Sequence, residues 1–277
     1  MTRVLIVEGN TAEARDRSVA AGGSVANQLY AAALRRVRGD LSLEVAFPAD
    51  AGAVLPDSGS LRGFDGIAWT GSSLNIYHGG PEIERQLAFC RTCFASGVPQ
   101  FGSCWGLQVG AVAAGGAVEA NPLGREIGLA RKIVLTEAGR AHPLYRGRPD
   151  AFDAIAVHRD IVTALPEGAQ ILAHNAMARV QAAAFSHEGG VFWGVQYHPE
   201  YTFTEIAASM RRYTEGLVAE GLFGSVESAQ AAAQVFASFD QGGAAENRWL
   251  AGIDGDVLDP AERLRDLRNW LDFISGI

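Results

Sequence analysis

The chain has 277 residues, 48% hydrophobic and 19% charged, with a net charge of −8 at pH 7. That length suits one large domain or two small ones, with enough chain for a core that needs no staples. The acidic balance gives no basic footprint for nucleic acid or for a helix lying on an anionic membrane, and no stretch reaches the roughly 18 apolar residues of a membrane span.

Residues 4–7 read as a buried strand. This apolar run is too short for a signal peptide. The three cysteines, Cys90, Cys93 and Cys104, form no disulfide framework, so a reducing cytoplasm is the expected setting. Residues 10–23 read as a long polar loop at the C-terminal end of that strand, where α/β proteins place their sites. It either shapes a second substrate or partner surface or is merely solvated. Residues 24–38 read as a helix with arginines near its C-terminus, where the dipole favours them. Strands follow at 43–47 and 66–70, then a helix at 81–94 with Pro81 in its first turn. A strand at 98–102 leads into a helix at 104–114, stopped by Gly115-Gly116. This alternation predicts a parallel sheet covered by helices on both faces. Short strand-like runs then crowd together at 132–136, 154–158, 170–173, 180–185 and 191–196, which predicts an antiparallel or mixed extension of the sheet. Helices close the chain at 202–220, at 226–239 and in a stretch ending near Ile274, where Asp254, Asp256 and Asp259 read as solvated helix caps.

The chemistry concentrates where the fourth strand meets its helix. Gly102-Ser103-Cys104-Trp105-Gly106 is the cysteine counterpart of the Gly-x-Ser-x-Gly nucleophile elbow. In so sharp a turn the positions two before and two after the nucleophile crowd each other, which calls for glycine. The elbow places the sulfur at a helix N-terminus, whose dipole favours an anion, and aims the Trp105 N–H at a developing oxyanion. A buried cysteine among glycines is the plainer alternative. The letters Gly-Ser-Cys-Trp also occur in papain-type proteases, but there a cysteine stands in the place of Phe101 and the motif lies near the mature N-terminus. The sole lysine, Lys132, follows no glycine-rich loop, so there is no Walker motif, and any Schiff-base lysine would have to be this residue.

A thiolate acyl-transfer site needs a histidine, and the histidine needs an orienter. His198 and Glu200, in Gln196-Tyr197-His198-Pro199-Glu200, close an apolar strand. At i and i+2 of an extended chain they project to the same side, so Glu200 can fix the tautomer that presents the other ring nitrogen to sulfur. Taken together, the elbow and this second segment resemble the two signatures of the triad-type, class I glutamine amidotransferases. Thr70-Gly71-Ser72-Ser73 resembles that family's oxyanion loop, and Val157-His158-Arg159-Asp160 its His-x-Asp segment. The resemblance spans residues 3–216 and leaves 217–277 as a helical extension. It implies an open, mostly parallel, flavodoxin-like sheet. It also implies attack by Cys104 on the side-chain amide carbon of glutamine or a related γ-glutamyl group. The N–H groups of Gly71 and Trp105 would hold the oxyanion, and His198, oriented by Glu200, would move the protons. Gln108 would help bind the glutamyl part. Ser72, His158 and Tyr77 are further candidates for substrate contact; His158 could instead bond the sheet extension, and Tyr77 could serve packing.

No metal or cofactor is expected. Cys90 and Cys93 read as core positions three apart on a helix rather than a redox pair, and no second pair completes a zinc site. His78, His142, His174 and His187 read as loop or surface residues. With neither a Walker loop nor a pyrophosphatase loop, the chain cannot by itself complete an ATP-driven synthesis. Three functions follow: a glutaminase that passes ammonia to a synthetase subunit in trans, a stand-alone γ-glutamyl amide or peptide hydrolase, and a non-catalytic binding or regulatory module. The tail could serve a partner, a homo-oligomer or the core itself.

Overall fold

The computed structural model describes all 277 residues, Met1 to Ile277. In chain order, β1 (Arg3–Val7), α1 (Ala12–Ala20), α2 (Ala26–Val37), β2 (Ser42–Ala46), α3 (Ser58–Leu61), β3 (Gly66–Trp69), α4 (Pro81–Ser96), β4 (Gln100–Ser103) and α5 (Trp105–Ala113) build the first half. Then come β5 (Ala117–Ala120), β6 (Glu126–Leu135), α6 (Glu137–Ala141), β7 (Ala151–His158), β8 (Asp160–Ala164), β9 (Gln170–His174), β10 (Ala182–His187) and β11 (Gly190–Val195). Helices end the chain: α7 (Phe203–Arg212), α8 (Thr214–Ala219), α9 (Val226–Phe239), α10 (Ala245–Leu250), α11 (Gly255–Leu258), α12 (Pro260–Arg263) and α13 (Arg265–Ile274).

Nine strands form one sheet in the order β2-β1-β3-β4-β11-β10-β9-β6-β7. Its first five strands are parallel, in the flavodoxin-like 2-1-3-4-5 order with β11 as the fifth. The remaining pairings are antiparallel, which is the expected mixed extension. The inner parallel strands are buried on both faces, so they read as unbroken apolar runs such as Val4–Val7, whereas the edge strand β2 is largely open to solvent. The two largest core clusters lie beneath α2 and the C-terminal helix α13 and beneath α4 and α5; two smaller ones lie between α7, α9 and the β6–β7 sheet extension.

Several expectations needed correction. Residues 10–23 are not one long loop: Thr11 caps α1 by accepting from the Ala14 N–H, and the helix is so polar and exposed that no apolar stripe announced it. β5 and β8 form a separate two-stranded sheet too short to show a period. β6 starts at Glu126 rather than 132, because Lys132 sits at φ 51° in a bulge that breaks the alternation. Lys132 is exposed there, its N–H donating to Asp153, and it takes no part in the cleft described below. The 202–220 helix is two, α7 and α8, joined at Tyr213. The last helical stretch is likewise split into α11, α12 and α13.

The C-terminal helices are packed into the body of the protein. Phe236 and Phe239 of α9 pack on Phe203 of α7. Trp270 of α13 is completely buried against Phe101, and a Cβ on Gly66 would lie 2.8 Å from its ring. Asp266, also completely buried, pairs with Arg148 at 3.0 Å and accepts from Tyr197 Oη at 2.8 Å, and Tyr145 Oη lies 2.9 Å from Tyr197 Oη. Asp256 is no solvated cap: it accepts the Asp153 N–H of β7. Asp259 does cap, at Ala261, and Asp254 makes no side-chain cap bond.

Replacing Asp266 by Ala strands the buried Arg148 charge and removes the acceptor of Tyr197. The expected loss is about 3–5 kcal/mol, against at most about 1 kcal/mol for removing the partly exposed Glu262 partner of Arg265. Urea denaturation of the two variants checks the contrast, and equal losses would contradict it.

Candidate active site

Four parallel strands deliver the site at their C-terminal ends. β1 leads to Glu8–Asn10, β3 to Thr70-Gly71, β4 to Cys104 and β11 to the segment carrying His198. This is the edge at which open α/β sheets place their ligands.

Cys104 forms the turn between β4 and α5 at φ 51°, ψ −102°. A non-glycine residue in that region costs about 1–3 kcal/mol and persists only where its surroundings enforce it. Here they do so by close backbone approach. A Cβ on Gly102 would lie 2.5 Å from the Gly106 carbonyl carbon, and one on Gly106 would lie 2.7 Å from Trp69 Cβ. Both glycines of the motif are therefore steric requirements. Cys104 N–H donates to Val195 O at 2.8 Å, and the thiol to Val157 O at 3.6 Å. The Trp105 indole is completely buried and donates to Gln86, which leaves the backbone N–H as this residue's only unused donor. As the first residue of α5, that N–H has no intrahelical acceptor.

His198 and Glu200 do meet, but across a turn rather than along the extended chain that the spacing assumed: β11 ends at Val195, and Tyr201 N–H donates back to His198 O at 3.3 Å. Nδ1 lies 2.7 Å from Glu200 Oε1, with both side chains buried. Nε2 is buried and unpartnered. Burial pulls the histidine pKa down, but the Glu200 carboxylate, with help from Cys104, outweighs it and raises the value to about 10. Tyr201 stacks on the imidazole at 4.0 Å. The second Glu200 oxygen accepts from Ser103 Oγ at 3.0 Å, and Ser103 is bonded in turn to Tyr30 of α2. This support was not legible in the sequence, since nothing local marks Tyr30 or Ser103 as partners of residue 200.

Gly71 is needed for the same fit, because a Cβ there would lie 2.6 Å from His198 Cε1. Its N–H donates to no group of the protein. The loop is clamped by Asn10, which donates to Gly71 O at 3.3 Å and accepts from the Ser73 N–H at 3.1 Å and Ser72 Oγ at 3.3 Å. Asn10 is itself fixed by the completely buried Glu8 carboxylate, which accepts its N–H and side-chain amide at 3.0 Å. The polar character of the segment after β1 hinted at a role near the site; its use as a clamp on the Gly71 loop did not show.

A cleft brings together Cys104, His198, Gly71, Ser72, Gln108 and His158. Gln108 Nε2 donates to Asp160 O at 3.2 Å, leaving its amide oxygen unengaged. His158 also reaches the cleft, with its Nε2 2.8 Å from Glu126 Oε2 and its Nδ1 3.1 Å from Asp160 O. Tyr77 stands outside the lining, half exposed, and its hydroxyl donates to Asp160 Oδ1 at 2.8 Å. Asp160, which does face the cleft, also accepts from Asn75 at 2.6 Å. Cys90 and Cys93 are fully buried in the core under α4, and burial pushes both thiols well up. His142 is more than a loop residue: it packs edge-on against Trp193 at 4.6 Å, and burial lowers its pKa to about 4.

The family model of class-I glutamine amidotransferases matches residues 60–213. A gamma-glutamyl-L-1-hydroxyisopropylamide hydrolase of a Pseudomonas species is 35% identical over 276 residues, covering 98% of this chain and 92% of that protein. A glutamine-hydrolyzing GMP synthase subunit from Methanocaldococcus jannaschii is 34% identical over 130 residues, 47% of this chain and 65% of that protein. The crystal structure of a glutamine amidotransferase from Thermotoga maritima superposes with a TM-score of 0.61 at 17% identity, covering 100% of this chain and 99% of that one, which establishes the fold. No helix of this chain is long and apolar enough to cross a membrane. By the match over more than half its length and the near full-length relative, the chain belongs to the class-I glutamine amidotransferase family.

Proposed function

We propose that the chain hydrolyses the γ-amide of a γ-glutamyl compound, glutamine or a substituted amide, through a Cys104–His198–Glu200 triad. The observation that carries this reading is the buried imidazole, held by Glu200 at 2.7 Å through one nitrogen and free at the other, against a cysteine on a strained elbow.

The thiol proton passes to His198 before attack, and the Cys104 sulfur, paired with that imidazolium, then attacks the amide carbon. The Gly71 and Trp105 N–H groups receive the oxyanion. His198 returns the proton to the nitrogen, the C–N bond breaks, and a γ-glutamyl thioester remains. Water adds to the thioester with His198 as base, and glutamate leaves as the thiol is restored. Gln108, with Ser72 and His158 beside it, receives the glutamyl part, and Tyr77 acts by holding Asp160.

The amine has two possible fates. Similarity to the Pseudomonas hydrolase runs through residues 217–277, whereas similarity to the GMP synthase subunit covers about half of this chain. This supports release of the free amine. Delivery of ammonia to a synthetase in trans is the second reading, supported by the likeness to that GMP synthase subunit. On either reading, residues 217–277 complete the 1–216 unit: Glu220 pairs with Arg125 and Arg159 of the cleft, and Asp266 holds Tyr197. A reducing cytoplasm is the proposed setting, in keeping with three unpaired thiols.

Cys104→Ala should abolish release of amine from every γ-glutamyl amide that the wild type turns over, as measured by glutamate formation; retained turnover would sink the mechanism. The pH profile follows from the histidine. Its raised pKa keeps the imidazolium available to the leaving nitrogen below about pH 10 and withdraws it above. The alkaline limb of kcat/KM therefore belongs near pH 10. Glu200→Gln removes the chief raising influence, so that limb should move toward the ordinary histidine value near about 6.5, with a loss of at least ~100-fold at neutral pH. A limb that stays in place would assign it to another group.

A further inference from the structure

A separate hollow lies between α2, α12 and the segment that follows His198. Its apolar walls are Leu29, Ala32 and Ala33 of α2 on one side and Pro260 and Leu264 on the other. Glu200 and Tyr201 also line it. Leu29 and Tyr201 line the cleft as well, so they stand between the two, whereas Cys104, Gln108 and His198 belong to the cleft and not to this hollow. Tyr201 is stacked on the His198 ring, and Glu200 holds its Nδ1. Whatever fills the hollow therefore touches the two residues that hold the imidazole.

The charge of the hollow is one-sided. Arg35 and Arg36, in the last turn of α2, and Arg263 of α12 line it. None of the three has a carboxylate within 4.0 Å. The Arg35 and Arg36 side chains donate to no group of the protein. Arg263 donates through one terminal nitrogen to the carbonyls of Val257 and Leu258. The dipole of α2 favours arginines at its C-terminus, but Arg263 comes from a different element. Burial and the neighbouring Arg36 charge both pull the Arg263 pKa down, against the opposite pull of Asp240 and Asp259. Glu200 is the one carboxylate among the walls, and its oxygens are taken by His198 and Ser103. Three guanidinium groups without carboxylate partners, beside an apolar lining, suit an anion that carries an apolar body, and the guanidinium fork matches a carboxylate or a phosphate.

We propose that this hollow is an effector site for a small amphipathic anion, a carboxylate or phosphate monoester on an apolar chain or ring, whose binding alters turnover through Tyr201 and Glu200. The head group meets the arginines, and the apolar body lies on Leu29, Ala33 and Leu264. The anion is not consumed and does not occupy the cleft. It changes the rate because it binds one arrangement of the segment after His198 better than another, and small displacements of a catalytic group are felt strongly in rate. The effect on turnover rests on the γ-glutamyl hydrolase reading above; the binding itself does not.

The test is calorimetric titration of the full chain with hexanoate, hexyl phosphate, hexan-1-ol and inorganic phosphate, followed by turnover of a γ-glutamyl amide with and without the tighter anion. Hexanoate or hexyl phosphate should bind at a single site, at least about 10-fold more tightly than the alcohol, which lacks the charge, and than inorganic phosphate, which lacks the buried methylenes. The tighter of the two identifies the head group. A variant with both Arg35→Gln and Arg36→Gln should lose affinity by at least about 10-fold. Ala32→Trp, which puts an indole into the hollow with every arginine in place, should lose it too, and it answers independently where the double variant fails to fold. Saturating anion should change kcat several-fold without competing with substrate, and that change should vanish in either variant. No saturable binding of either anion overturns the proposal, as does binding of hexan-1-ol as tight as that of the anions. Affinity untouched by both variants, competition with substrate, or binding that leaves kcat unchanged also overturns it. A chain that binds the anion yet turns over no γ-glutamyl amide, or whose turnover survives Cys104→Ala, overturns the hydrolase reading instead.

Discussion

The site depends on one close approach, that of Gly102 to the backbone of Gly106, with Gly106 in turn against Trp69. A Cβ at either glycine would sit less than 3 Å from its neighbour. Only with both side chains absent can β4 turn directly into α5, and only that turn holds Cys104 at positive φ with its sulfur at a helix N-terminus. The elbow is also tied to the sheet, since Cys104 N–H donates to Val195 O at the end of β11. The strand that carries Cys104 is thereby fixed to the strand that delivers His198. Parallel pairing of β4 with β11 is what turns 94 residues of sequence separation into contact.

Around this constraint the protein has arranged second partners for each group of the proposed site. Glu200 orients His198 with one oxygen and is itself held through Ser103 and Tyr30 by the other. The Gly71 loop is clamped by Asn10, and Asn10 by buried Glu8. Tyr197, the residue before the histidine, is anchored to Asp266 near the end of the chain. Each bond restricts a group to which the proposed reaction assigns a role, and a misplacement of about 1 Å at an active site can cost ~100-fold in rate. The C-terminal helices thus share in positioning the histidine as well as in covering the core.

Local chemistry was legible in the sequence. The elbow glycines and the strand–helix rhythm of the first half follow from spacings of one to four residues, and the structure places those residues as the spacings imply; His198 and Glu200 meet as expected, though across a turn instead of along a strand. Partnerships across the chain were not legible. Nothing near Tyr30 points to residue 103, and nothing near Asp266 points to Tyr197, because a hydrogen bond between elements leaves no periodic trace in either. The remaining misreadings have local causes. α1 is too polar to show an apolar stripe, the bulge at Lys132 reverses the alternation of β6, and Asp256 looked like a helix cap because its real partner, the Asp153 N–H, lies on a strand about a hundred residues earlier.

The central claim is covalent: an acyl group must pass through the sulfur of Cys104. Acid quenching during turnover of a γ-glutamyl amide, followed by peptide mass analysis, tests it directly. The expected result is one glutamyl residue, labile to hydroxylamine, on the peptide that contains Cys104, and none on the peptide with Cys90 and Cys93. Steady turnover with no acyl adduct under any quench, or an adduct confined to another residue, would contradict the mechanism built on this elbow.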